Sequence, residues 1–232
     1  MKKFLSEVAA IGEHVKFIPA KQNAAVPKRL SGYFTDQRYN LKEMCDWRVF
    51  DIGDEKDGKS LELVAVEGFK SLALNGQSGY SYGPTAMIEL CKELEENRGG
   101  NRILARSIGY SYPDLTTELG QLNDGRWTRT FDCDIMKNDV KKLKTCGLMP
   151  KNEWVWLPCT VQHQKNDLST YIVKALHISG CIADTKALYF KQGEVVKEEF
   201  HVCAVLPFLS IPANAYAVRG NGSEEMPYEI EF

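Results

Sequence analysis

No stretch of the chain strings together the roughly 20 apolar residues that a membrane-spanning helix needs, which argues against helical insertion in a bilayer. Positive charge is not in excess either: 29 Lys and Arg stand against 31 Asp and Glu, a net charge of −2. Such a balance gives nothing to track a phosphate backbone, so neither nucleic acid nor membrane is expected as a partner. Histidine is scarce. The four residues His14, His163, His177 and His201 are scattered, without H-E-x-x-H or any paired-ligand spacing, so no metal and no cofactor is expected. Cysteine is present, but C-x-x-C is not. The seven residues Cys45, Cys91, Cys133, Cys146, Cys159, Cys181 and Cys203 are odd in number and widely spaced, which reads as reduced thiols packed as small hydrophobes. Internal repeats, low-complexity linkers and charge blocks are all missing. The opening "MKKFLSEVAAIGEHVKF" imitates a signal peptide through Lys2 and Lys3, but Glu7 and Glu13 interrupt the apolar part. The expectation is a product made in the cytoplasm without a signal peptide.

What is present is an ordinary globular composition, 44% hydrophobic and 26% charged, over a length of 232 residues that suits one large domain or two small ones. "HVKFIPA" (14–20) reads as a short strand, and the polar segment 21–40 as a long surface loop. "DWRVFDIG" (46–53) and "LELVAVEG" (61–68) alternate as the two arms of a hairpin, and "KSLALNG" reads as a third strand. Helical spacing follows in "GPTAMIELCKELEENRGG", with Pro84 in its first turn, then in "SYPDLTTELGQL" and in "NDVKKLKTCG" with Asn138 as cap. Strand patterns return in "EWVWLPC", "TYIVKALHIS", "KALYFKQ" and "EFHVCAVLPFLSI". The order strands, helices, strands is an α+β pattern in which first and last strands can share one antiparallel sheet. In "NEWVWLPCT" (152–160) alternation sets Trp154 and Trp156 on one face; its place between a helix-ending Gly147 and three further strands makes it a central strand, with Trp156 expected in the core and Trp154 partly buried.

Few motifs carry chemistry. "NGQSGYSYG" (75–83) is glycine-rich and precedes a helix, but it lacks the phosphate-loop lysine and the dinucleotide spacing. His201 with Cys203, and Cys159 with His163, are the pairs from which a thiol nucleophile and its base would be drawn. With seven cysteines and four histidines, accidental pairs outnumber functional ones. The stretches that favour recognition are two polar segments read as loops. "LNDGRWTRTFDCD" (122–134) supplies Arg126, Trp127 and Arg129, and "TVQHQKNDLSTY" (160–171) supplies His163, Gln164, Lys165 and Asn166.

Four segments in order, "WRVF" (47–50), "ARSI" (105–108), "WLPCT" (156–160) and "CAVLPFLSI" (203–211), resemble an uncharacterised family of bacterial and phage-encoded domains with W-R-V-L, A-R-S-I, Y-W-L-x-S and V-R-P elements. Leu206 stands where that family has Arg, and Cys159 where it has Ser. The resemblance implies a C-type-lectin-like α+β fold, an antiparallel sheet with two or three flanking helices and long loops. Residues 1–40 would be an N-terminal extension with one short strand, and 41–232 a single domain. It further implies a non-enzymatic virion component of a phage or prophage, in capsid, collar or tail. Its partners would be other virion or protein subunits, or a host-surface glycan or protein, and the chain would be oligomeric. The E-P-N and W-N-D calcium motifs of sugar-binding lectins are absent. The alternative is a carbohydrate- or peptide-binding module outside any virion.

Overall fold

Alternation of apolar and polar residues gives the described residues far more strand than helix, and the strands divide between two sheets. The computed structural model describes residues 3–19, 25–35, 45–53, 60–98, 101–109, 119–121, 126–129, 133–190, 194–199 and 201–232. Strands are numbered in chain order. The first sheet runs β1 (Lys3–Phe4), β16 (Tyr216–Arg219), β17 (Tyr228–Glu231), β2 (His14–Lys16), β3 (Asp46–Ile52), β4 (Leu61–Ala65), β15 (Pro207–Ile211), β7 (Asn101–Ser107) and β6 (Glu96–Arg98). The second runs β13 (Val195–Glu198), β12 (Ile182–Phe190), β11 (Leu168–His177), β10 (Trp154–Lys165), β14 (Val202–Val205) and β5 (Phe69–Ala73). Strands β8 (Leu119–Gln121) and β9 (Arg126–Arg129) continue it beside the far part of β10. Three helices complete the described residues: α1 (Leu5–Val8), α2 (Gly76–Lys92) and α3 (Cys133–Thr145). The protein is therefore mixed α+β and mostly sheet. No helix among the described residues is long and apolar enough to cross a membrane.

Helix α2 is wedged between the sheets, touching β7 on one side and β10, β11 and β12 on the other. It begins seven residues before the expected start, so the glycine-rich "NGQSGYSYG" is mostly helix and Pro84 lies inside it. The glycines serve packing rather than a loop. A Cβ on Gly79 would stand 2.7 Å from the Tyr33 carbonyl oxygen, and one on Gly83 would collide with Leu74. A second joint between the sheets is Leu206–Pro207. The fully buried Leu206 separates β14, in the second sheet, from β15, in the first. Two of the four tryptophans, Trp47 and Trp156, are fully buried with their indole N–H satisfied: Trp47 donates to the Phe17 carbonyl at 2.9 Å and Trp156 to the Leu72 carbonyl at 2.7 Å.

Several expectations are corrected. The segment 21–40, read as a surface loop, places Val26, Leu30 and Phe34 in the core wherever it is described. The short strand expected at 14–20 is β2, which pairs with both β3 and β17, and Leu5, Val15 and Phe17 of residues 1–40 are buried. Apolar burial outweighed the polar composition between these anchors. "KSLALNG" supplies a strand, but β5 joins β14 instead of the β3–β4 hairpin. The end of "SYPDLTTELGQL" is the strand β8; the rest of it, 111–118, lies outside the described residues. Helix α3 starts before Asn138, which is not its cap.

On the first sheet, α3 is docked by charge. Arg106 of β7 donates from Nε to Glu62 of β4 at 2.5 Å, and from Nη1 and Nη2 to Asp139 of α3 at 2.7 and 3.1 Å. Asp139 also accepts the Gly109 backbone N–H at 2.8 Å. The Arg106 and Asp139 side chains are only 5% and 7% exposed, and the guanidinium carbon lies 4.2 Å from the Phe208 ring centre. Arg48 of β3 holds the other end of the helix, donating to the Gly147 and Met149 carbonyls at 2.7 and 2.9 Å. Gly147 takes the left-handed φ of 65° that ends a helix and that an L side chain resists. Between the two arginines, Lys142 pairs with Asp51 at 2.7 Å over the Phe50 ring.

Removing one member of such a buried set strands an uncompensated charge. Arg106→Met is expected to lower the unfolding free energy by about 3–5 kcal/mol, read from urea titration; a loss under about 1 kcal/mol would show the network to be dispensable. Two carboxylates share the one guanidinium, and burial pushes the Glu62 carboxyl above its ordinary 4.5, with Arg106 opposing and Asp139 adding to the rise. A carboxyl whose native pKa is raised binds its proton more tightly when folded. Its stabilising contribution is complete below 4.5 and is lost as the pH climbs through the native value. Glu62→Gln should therefore gain stability relative to the unmodified chain as the pH is raised from about 4 to about 8; a difference that does not change with pH would refute this.

Candidate functional site

Strands β10 and β11 form one long ribbon, from the Trp154↔His177 pair to the Lys165↔Leu168 pair, with a register shift between Trp156 and Thr160. Pro158 lies in that irregularity, where a missing backbone N–H costs no ladder bond. The two-residue turn Asn166–Asp167 closes the ribbon. Asn166 adopts φ 54°, a conformation that asparagine tolerates better than most residues. Of the two polar stretches read as loops, 160–171 is mostly strand, and 122–134 contributes the strand β9 and, in its last two residues, the start of α3. Their polar side chains hid an alternation that main-chain pairing enforces.

The pairing also joins them. β14 lies along the first part of β10, and β9 along the last part on the same edge. The register sets Arg126 opposite His163, Trp127 opposite Gln162 and Thr128 opposite Val161, and β8 continues outward from β9. The two candidate stretches, more than thirty residues apart in the chain, are therefore neighbouring strands. His163 is half-buried, and Lys165 and Asn166 are exposed at the ribbon's tip. The side chains of Arg126, Trp127, Arg129 and Gln164 lie outside the described residues.

Beneath this end the sheet has a packed polar floor. Gln77 of α2 and Gln162 of β10 both donate to the Tyr171 hydroxyl, at 2.9 and 3.2 Å. Tyr189 lies against Tyr171 and Tyr80, with ring centres 6.0 and 6.4 Å away. Tyr80 donates to the Glu199 carbonyl at 2.5 Å. Burial pushes the Tyr80 and Tyr189 phenols well above their ordinary range, so they stay protonated donors. The floor makes the hairpin end rigid, which favours recognition.

The Cys–His pairs have the wrong surroundings for nucleophilic chemistry. Cys203 is buried and its thiol is pushed up to about 12, whereas His201 is exposed. An activated thiol needs the opposite shift. Cys159 is likewise buried, while His163 is half-exposed. Among the described residues no three His, Cys, Asp or Glu side chains converge as a metal site.

Sequence reading passed over the other end of the ribbon. There the Trp154 ring lies 4.6 Å from the His177 ring, and the Ser179 hydroxyl is 2.8 Å from His177 Nδ1. The available signal was H-x-S followed by Gly180 at a strand end, a pattern too common to single out alone. The thiols offer a direct check of the geometry. Cys146 and Cys181 are exposed and should react with a water-soluble disulfide reagent in the native protein, whereas the buried Cys91 and Cys203, both with raised pKa values, should react only after unfolding. Rapid native labelling of Cys203 would restore it as a nucleophile. No protein-family model, curated protein or solved structure matches this chain.

Proposed function

We propose that the chain is a binding protein and that the hairpin end of its second sheet, centred on β9, β10 and the Asn166 turn, is a non-catalytic recognition surface. The single observation that carries this reading is the β9–β10 register, which sets the Arg126–Arg129 stretch beside His163 and the exposed Lys165 and Asn166. Recognition surfaces draw on residues of this kind, held by a stiff scaffold so that little ordering entropy is lost on contact.

The finer reading is a C-type-lectin-like scaffold in a phage or prophage virion, in contact with neighbouring subunits or a host-surface ligand and oligomeric through symmetry. Its support is the set of four motifs in "WRVF", "ARSI", "WLPC" and the closing "CAVLPFLSI". They fall on β3, β7, β10 and the β14–β15 pair, all of them strands of the two sheets. Arg48 and Arg106 from the first two motifs hold α3 in place.

Density-gradient fractionation of lysates from producing cells tests it. The chain is expected to sediment with assembled particles. The double variant His163→Ala with Lys165→Glu should lower that association about tenfold or more without changing thermal unfolding. Soluble chain only, together with hits on a glycan or peptide array, would overturn the virion setting and assign the surface to a free binding module. Full association of the double variant would show that the surface lies elsewhere.

A further inference from the structure

A cavity of about 300 Å³ opens between residues 29–33 and helix α2, and it shares no residue with the hairpin surface. Its outer segment is pinned by main-chain bonds. Tyr33 N donates to the Leu30 carbonyl at 3.1 Å, and the Tyr33 carbonyl accepts the Asn75 N–H at 2.9 Å. Gly79 permits that approach, since a Cβ there would meet the same carbonyl. Tyr82, Ala86 and Glu89 follow one another at i, i+4 and i+7, so they share one face of α2 and line the cavity together. Ala86, the smallest of the three, leaves room between the other two.

The cavity has walls of three kinds. The Tyr33 and Tyr82 rings stack with centres 5.8 Å apart and planes 28° from parallel, and Tyr82 is 49% exposed, which gives aromatic surface at the mouth. The buried Leu30 adds an apolar patch. The third wall is ionic: Arg29 Nε pairs with Glu89 Oε2 at 3.4 Å, and Arg29 Nη2 with Glu93 Oε1 at 2.5 Å. Arg29 Nη1 and Glu89 Oε1 take no partner among the described residues, so a donor and an acceptor stand open side by side.

These walls restrict the occupant. One guanidinium between two carboxylates leaves a net negative charge, which disfavours an anion. An ammonium would meet the carboxylate but has no acceptor for Arg29 Nη1. A hydrocarbon would leave both polar groups unpaired. A neutral hexopyranose suits all three walls: its hydroxyls donate to Glu89 and accept from Arg29, and the C–H face of its ring lies on Tyr82. The volume is at the low end of the range for small-molecule sites, room for one ring. We infer that this cavity binds one neutral hexopyranose residue, free or at the end of a glycan, through these side chains alone.

The test titrates the full chain, in buffer containing EDTA, with the methyl glycosides of glucose, galactose and mannose and with N-acetylglucosamine, read by saturation-transfer NMR. At least one should bind saturably with a Kd of about 1 mM, as the modest per-atom affinity of an open site gives for one ring. Tyr82→Ala should weaken that binding about tenfold or more, and Tyr82→Phe should retain it. Glu89→Gln should weaken it with thermal unfolding unchanged. The double variant His163→Ala with Lys165→Glu should bind as the unmodified chain does, so failure of the hairpin reading leaves this result standing. Saturable binding by none of the four sugars, or undiminished binding in both Tyr82→Ala and Glu89→Gln, overturns the inference. Choline and guanosine are the controls: binding of either one, lost in Tyr82→Ala, with no sugar bound, reassigns the cavity and overturns it as well.

Discussion

The guanidinium of Arg106, shared between Glu62 and Asp139 and set against Phe208, is the contact on which the placement of α3 against the first sheet rests. Taking these charges out of water is costly, and only near-complete pairing offsets it. The three residues come from β4, β7 and α3, so the network forms only when sheet and helix are already in register. It acts less as a source of stability than as a condition on geometry. Arg48 adds a second condition at the other end of the helix by holding the carbonyls that follow it. Between them the two arginines fix where the chain leaves α3, and therefore where β10 begins.

β10 is the spine of the second sheet and runs the whole length of the ribbon. Its first residues carry Trp154, next to His177 and the 177–181 turn. Its last residues carry His163 and Lys165, next to β9 and the Asn166 turn. The same helix that Arg106 docks also reaches the first of these ends, through Lys144 over Gly180. The second end is steadied from the opposite side by α2, whose Gln77 meets Tyr171. A rigid ribbon supported at both ends by different helices keeps its two surfaces independent of each other.

Much of this was legible in the sequence. Alternation located β3, β4, β10, β11 and the closing strands, and the central position of β10 separated the core Trp156 from the half-buried Trp154. Three of the four motif segments fall in stretches that read as strands; "ARSI" does not, and β7 (Asn101–Ser107) had no strand reading in the sequence. The polar strands were not. Residues 160–171 and 126–129 lack the apolar face that betrays a strand, because hydrogen bonding to neighbours far along the chain, and not burial, makes them extended. The start of α2 was hidden for a related reason. Its glycines lower helix propensity, but they are what lets the helix approach Tyr33 and Leu74. That the two candidate stretches lie on the neighbouring strands β9 and β10 had no local signal.

By itself the sequence determined the class of architecture, the apolar positions that must be buried and the helix end at Gly147, because these follow from local periodicity and local backbone conformation. Tertiary structure alone decided that β5 leaves its hairpin for another sheet, that Leu206–Pro207 passes the chain between sheets and that Arg106 finds two acids. It also decided that Lys144 of α3 lies against Gly180 in the turn at 177–181. Each of these depends on contacts between residues distant in the chain, whose loop-closure entropy is offset only when the whole core condenses.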